Sequence, residues 1–205
     1  MGFVHNLEKK IDLAPRWLTI PATHAVFYGL YMATNRFQLS RPRTLPFCVS
    51  EEAIPFVGWT SYVYLTILLV LPVTMCLMPK PGFGKAVVSG MGLVALHIAI
   101  FVLFPTAYPR PTGPSGHAIT DLIWKADAPA NAFPSLHVAI SFYLAFALVR
   151  MGRRTVGTIL LAWAAVISVS TMTVKQHYAL DSVAAIVIAF VASRRVRPYG
   201  TQTLS

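Results

Sequence analysis

The chain has 205 residues, 56% hydrophobic and 12% charged, and its mean hydropathy of +0.61 lies far from the balance of a water-soluble domain. A hydrocarbon core about 30 Å thick takes about 20 apolar residues per helix, so this length holds roughly five to seven spans and excludes a separate soluble domain. The formal charge of +10 does not mark a nucleic-acid partner, because the lysines and arginines sit at the ends of apolar runs, with no basic stripe of interleaved aromatics.

The first fifteen residues, MGFVHNLEKKIDLAP, mix polar and apolar side chains and lack the charged head and apolar stretch of a signal peptide. They read as an interfacial helix ahead of the first span. Apolar runs follow at Trp17–Asn35, Trp59–Met78, Ala86–Ala107, Ser135–Val149, Val156–Val174 and Tyr178–Ala192. The fold class expected is an all-α integral membrane protein: one transmembrane domain over 1–205, a bundle of six transmembrane helices, with the catalytic motifs within 104–192. The fourth and sixth runs are short for a crossing, and each begins at a polar cluster centred on a histidine, so either these helices start below the membrane surface or their ends lie elsewhere. Between the third and fourth runs, Tyr108–Pro134 carries Pro109, Pro111, Pro114, Pro129, Pro134, Gly113 and Gly116, which argues for an irregular shaped connection. Cys48 and Cys76 fall in different segments without metal-type or paired spacing and read as apolar residues or free thiols.

Orientation follows from the basic residues, because cytoplasmic loops carry the excess. With the N-terminus inside, the inner segments hold Lys9, Lys10, Arg16, Lys80, Lys85, Arg150, Arg153, Arg154, Arg194, Arg195 and Arg197, and the outer ones Arg36, Arg41, Arg43, Arg110, Lys125 and Lys175. Both histidine clusters then face outward. The expected location is a bacterial inner membrane, with the site on the periplasmic side.

Three polar islands interrupt the apolar chain: YPRP at 108–111, PSLH at 134–137 and STMTVKQHYALD at 170–181. Ionisable groups at membrane depth are costly and mark function. His177 and Asp181 are four apart and share a face if both are helical, so the carboxylate can take one ring N–H and leave the other nitrogen to attack. In PSLH, Ser135 supplies a hydroxyl and the first-turn backbone from Leu136 onward supplies N–H groups, an anion-binding helix start. Arg110 offers a planar fork for phosphate oxygens and Lys175 a point charge beside His177. His137 can protonate a departing alkoxide.

On these residues the chain resembles the type 2 phosphatidic acid phosphatase superfamily over roughly Phe104–Ala192. PSLH opens one apolar helix, and H-x-x-x-D follows about forty residues later. Arg110-Pro111, Ser135 with His137, and Ser170, His177 and Asp181 match its three motifs. The resemblance implies His177 as nucleophile, Asp181 orienting it and His137 as acid and then base. The basic groups and Ser135 would hold the phosphate of a lipid phosphate monoester or pyrophosphate, with no cofactor and no metal. The family's third-motif arginine is Thr171 here, and no lysine precedes Arg110 by seven residues. STM followed by KQHYALD is similar to the branch containing inositol phosphorylceramide synthases, which makes a phosphotransferase with an alcohol acceptor the alternative, and a non-catalytic headgroup-binding protein the third reading.

PSGH at 114–117 is the competing second motif. The residues after His117, AITDLIWKADAPAN, are too polar to span, whereas those after His137, VAISFYLAFALV, are not, so His137 is preferred and Ser115 and His117 are read as loop residues near the entrance. His24 and His97, alone in apolar runs, read as hydrogen-bonded packing residues. A zinc site at His137, His177 and Asp181 would leave Arg110 and Lys175 unexplained.

Overall fold

The computed structural model describes residues 2–45 and 53–196, so Cys48 and Arg197 lie outside the described residues. Helix α1 (Gly2–Leu13) precedes α2 (Arg16–Arg36). Then come α3 (Thr60–Leu65), α4 (Ile67–Leu77), α5 (Phe83–Leu103), α6 (Ala118–Ala126), α7 (Leu136–Arg150), α8 (Arg154–Thr173) and α9 (Ala179–Ser193). Among the described residues there are no strands, only isolated bridges pairing Arg43 with Thr106 and Ala107 with Ala130. Each expected apolar run contains a helix, but a count of six is not the whole architecture. The second run is broken at Thr66 into α3 and α4, and the connection expected to be irregular contains α6. Among the described residues, three segments are long and apolar enough, by length and composition, to cross a membrane: Thr60–Leu77, Phe83–Leu103 and Arg154–Thr173.

The third run begins and ends earlier than its hydropathy indicates. Phe104 precedes Pro105, and a residue before proline is pushed out of the α region, so α5 stops at Leu103. Its start is set from a distance: the Asp12 carboxylate accepts the backbone N–H of Gly84 at 2.8 Å and of Gly82 at 3.3 Å, satisfying donors that the helix leaves free. Helix α1 lies so close to α5 that a Cβ on Gly84 would come within 2.0 Å of the Glu8 carbonyl oxygen. Arg16 stacks its guanidinium 4.9 Å from the Phe83 ring centre and donates to the carbonyls of Cys76 and Met78 at the end of α4.

Helix α7 is central, packed against α8 and α9 and touching α5 and α4. Small side chains allow the approach: Ala139, Ala145 and Ala147 are fully buried. At about 1.5 Å per residue, the 15 residues each of α7 and α9 reach roughly 22 Å, short of a 30 Å core. Their ends agree with the sequence reading, so the shortness is real. The histidine motifs lie at their N-terminal ends.

Candidate active site

His177 is not on a helix, as the four-residue spacing to Asp181 suggested; it sits in the turn from α8 to α9. Helix α8 closes with a Schellman arrangement in which Lys175 N–H donates to Met172 O at 3.1 Å and Gln176 N–H to Thr171 O at 2.9 Å. Lys175 takes the left-handed position, φ 58°, where glycine is usual, at a cost on the order of 1 kcal/mol. Thr171, where the family has arginine, is fully buried, and its carbonyl also accepts His177 N–H at 3.2 Å. It shapes the turn and adds no charge.

The His177 Nδ1 lies 2.8 Å from the Ala132 carbonyl oxygen and 3.4 Å from Asp181 Oδ2. A carbonyl only accepts, so Nδ1 carries the proton and Nε2 keeps the lone pair. The hydrogen-bond partner that orients the ring is therefore Ala132, with the carboxylate behind it. Asp181, fully buried, occupies the third position of α9, and its Oδ2 accepts Tyr178 N–H at 2.8 Å, half of a capping box. Its backbone carbonyl takes Ser135 N–H at 3.2 Å, tying the PSLH motif to α9.

Ser135 caps α7, accepting Val138 N–H at 3.4 Å, and buried Leu136 opens the helix. One residue on, the His137 ring centre is 5.9 Å from that of His177. Two tyrosines hold His137. Tyr64 Oη is 2.9 Å from its Nε2, and Tyr31 meets it edge-on at 5.6 Å while donating to the Asp127 carboxylate at 2.9 and 3.0 Å.

Arg110 lies beside this group. Its Nη1 donates to Trp124 O at 3.1 Å and Asp127 O at 2.6 Å, and its Nη2 donates to Gln176 Oε1. The fork clasps the end of α6 to the turn carrying His177, and burial pulls the guanidinium below its ordinary pKa. Burial likewise raises the Asp127 carboxyl above its ordinary range, against the opposing pull of Tyr31, Arg110 and His177. Lys175 is nearly buried and donates its ammonium to Ile54 O. The structure thus brings His137, His177, Asp181 and Ser135 together, and commits the Arg110 amino groups and the Lys175 ammonium to protein oxygens.

Sequence reasoning missed Ala132, Tyr31, Tyr64 and Asp127. Of these only Asp127 left a signal, as one of seven acidic residues in the chain, set in a loop between two motifs. Ala132 acts through its carbonyl, presented after Asn131, which sits at φ 58° with its side-chain amide donating to Thr34 Oγ1 at 3.0 Å. The lone histidines behave as packing residues: Nδ1 of His24 lies 2.9 Å from Ile20 O, and Nδ1 of His97 lies 2.8 Å from Leu93 O. Among the described residues no three His, Cys, Asp or Glu side chains gather in a way that could hold a metal ion. Beneath His137, on the same face of α7, Ile140 and Leu144 border an apolar cleft between α2, α4, α5 and α7.

Residues 30–194, from the end of α2 through α9 and including Tyr31, Tyr64, Arg110, Asp127, Ser135, His137, His177 and Asp181, match the PAP2 superfamily. The chain belongs to that superfamily. PAP2 membership supports a membrane enzyme of the lipid-phosphatase type. The fold is similar to the crystal structure of Aquifex aeolicus LpxE, with a TM-score of 0.50 and 16% identity over 82% of this chain and 92% of that one. At that identity the likeness is one of PAP2 fold. No curated protein matches the chain.

Proposed function

We propose that this PAP2 protein is a metal-independent lipid phosphatase in which His177 forms a phosphohistidine. The observation that carries the reading is the His177 ring, whose Nδ1 is held by Ala132 and backed by Asp181 so that Nε2 is the attacking nitrogen. In the first half, the Nε2–P bond forms as the P–O bond to the lipid breaks, and His137 gives the leaving oxygen a proton. In the second, water attacks phosphorus, His137 takes its proton and the P–N bond breaks. Ser135 and the α7 start at Leu136 cradle the phosphate, and Arg110 and Lys175 add positive field from their anchored positions. The whole chain is one transmembrane domain, and the distribution of Lys and Arg supports a bacterial inner membrane location with the site facing the periplasm.

The test is covalent trapping with a lipid phosphate labelled on phosphorus. Acid-labile, base-stable label on His177, accumulating in His137→Ala and absent in His177→Ala, is the expected result. Label elsewhere, or none with any lipid phosphate or pyrophosphate, removes the proposal and leaves a headgroup-binding protein. Chasing the labelled enzyme with water or with an alcohol such as inositol separates phosphatase from phosphotransferase, because the two differ only in the second half.

A further inference from the structure

His137 has a partner that no motif assigns. Its ring is clamped between Tyr64, ring centres 5.0 Å apart, and Tyr31, and both tyrosines are 5% exposed. The two hydroxyls are engaged differently. Tyr31 directs its O–H to Asp127, so it contributes only its ring to His137. Tyr64 Oη faces His137 Nε2 at 2.9 Å, whereas His137 Nδ1 is buried and meets no protein partner.

A buried hydroxyl that leaves its proton unshared loses a hydrogen bond at a cost of about 1–3 kcal/mol. The imidazole nitrogen is the acceptor within reach of Tyr64. The O–H therefore points at Nε2, and the neutral ring must carry its own proton on Nδ1. We infer that Tyr64 is a positioning residue for the acid–base step: it fixes His137 as the Nδ1–H tautomer and relays a proton through the ring. This rests on the phosphohistidine reading above. As the P–O bond breaks, the Nδ1 proton passes to the leaving lipid oxygen and the Tyr64 proton moves to Nε2. In the second half, water gives its proton to Nδ1 and Nε2 returns one to Tyr64, so both residues end as they began.

The role shows in proton transfer and not in binding. With an alkyl phosphate, single-turnover phosphoenzyme formation by the wild type in mixed H₂O/D₂O should give a curved proton inventory, two protons in flight. Tyr64→Phe, which keeps the ring, should give a linear inventory and form the phosphoenzyme about tenfold more slowly from the alkyl phosphate. From an aryl phosphate, whose leaving group needs no acid, it should match the wild type within about twofold. In ¹⁵N spectra of histidine-labelled protein, assigned against His137→Ala, the wild-type His137 should be the Nδ1–H tautomer and the Tyr64→Phe ring a mixture. A linear wild-type inventory, an unchanged tautomer, or equal slowing with both substrates would overturn the role of Tyr64. A wild type that forms no phosphoenzyme would instead overturn the reading beneath it.

Discussion

Two segments twenty residues apart carry nearly the same letters, PSGH ending at His117 and PSLH ending at His137, and the fold treats them oppositely. Each histidine stands at or just inside a helix start. His117 precedes the nine-residue α6, is exposed, and rests its ring in a niche that exists because residue 58 is glycine: a Cβ there would come within 2.0 Å of His117 Cδ2. His137 opens α7, is clamped by two tyrosines and faces His177. The carboxylates follow the same division. Asp121, four residues after His117, is solvated and held below its ordinary pKa by hydrogen bonds from Ser115, while Asp127 at the far end of α6 is pushed above it by burial. The two motifs therefore differ in what the fold packs around them: Tyr31 and Tyr64 enclose the His137 ring, whereas His117 stays exposed.

The sharpest way to break this comparison is to remove each histidine. His137→Ala should lower the rate with an alkyl phosphate on the order of a hundredfold, the usual loss for a general acid. If His117→Ala costs more than His137→Ala, the wrong motif has been placed at the centre. The next effect should come from Arg110→Lys, which keeps the charge but cannot span Trp124 O, Asp127 O and Gln176 Oε1 at once. It should cost about tenfold in kcat/KM and speed amide exchange across 118–134, since one charged hydrogen bond contributes about 1.5–3 kcal/mol. Unchanged exchange would show that the fork does not hold the loop.

A smaller effect should appear in stability. Gly58→Ala displaces the His117 ring and should cost about 1 kcal/mol, the low end of overpacking. Adding His117→Ala should restore most of it, because the obstacle is gone, and an additive double variant would mean that the two do not meet. His117→Ala alone should change activity by less than about threefold, the size of an exposed side chain's contribution. The last expectation is no effect: excess EDTA should leave phosphate release unchanged, because the charge placed near His177 comes from Arg110, Lys175 and the α7 start. Loss of activity with recovery on adding zinc would reassign His137, His177 and Asp181 as ligands.

Much of the architecture was legible because hydropathy is a one-dimensional property. The helices fall where apolar runs fall, and the chain's polar islands marked His137, His177, Asp181 and Arg110 before any geometry was known. Legibility failed where a helix boundary depends on a distant acceptor, as with Asp12 at the start of α5, or where a short amphipathic helix such as α6 hides among prolines. It failed also where a glycine-type cap is built on Lys175. The site partners Tyr31 and Tyr64 lie inside apolar runs, where an aromatic reads as packing, and Ala132 contributes an atom that every residue has.

What this chain determines by itself is which groups can react: the order of apolar runs and polar islands sets which residues are held at membrane depth, since burial of an ionisable group is tolerated only with a use or a partner. What only the tertiary structure decided is which nitrogen of each histidine meets a protein partner. That choice rests on Ala132 O meeting His177 Nδ1 and Tyr64 Oη meeting His137 Nε2, contacts that join positions 45 and 73 residues apart. A ring's tautomer is set by the hydrogen bond its other nitrogen makes, and such a bond exists only once the chain has folded.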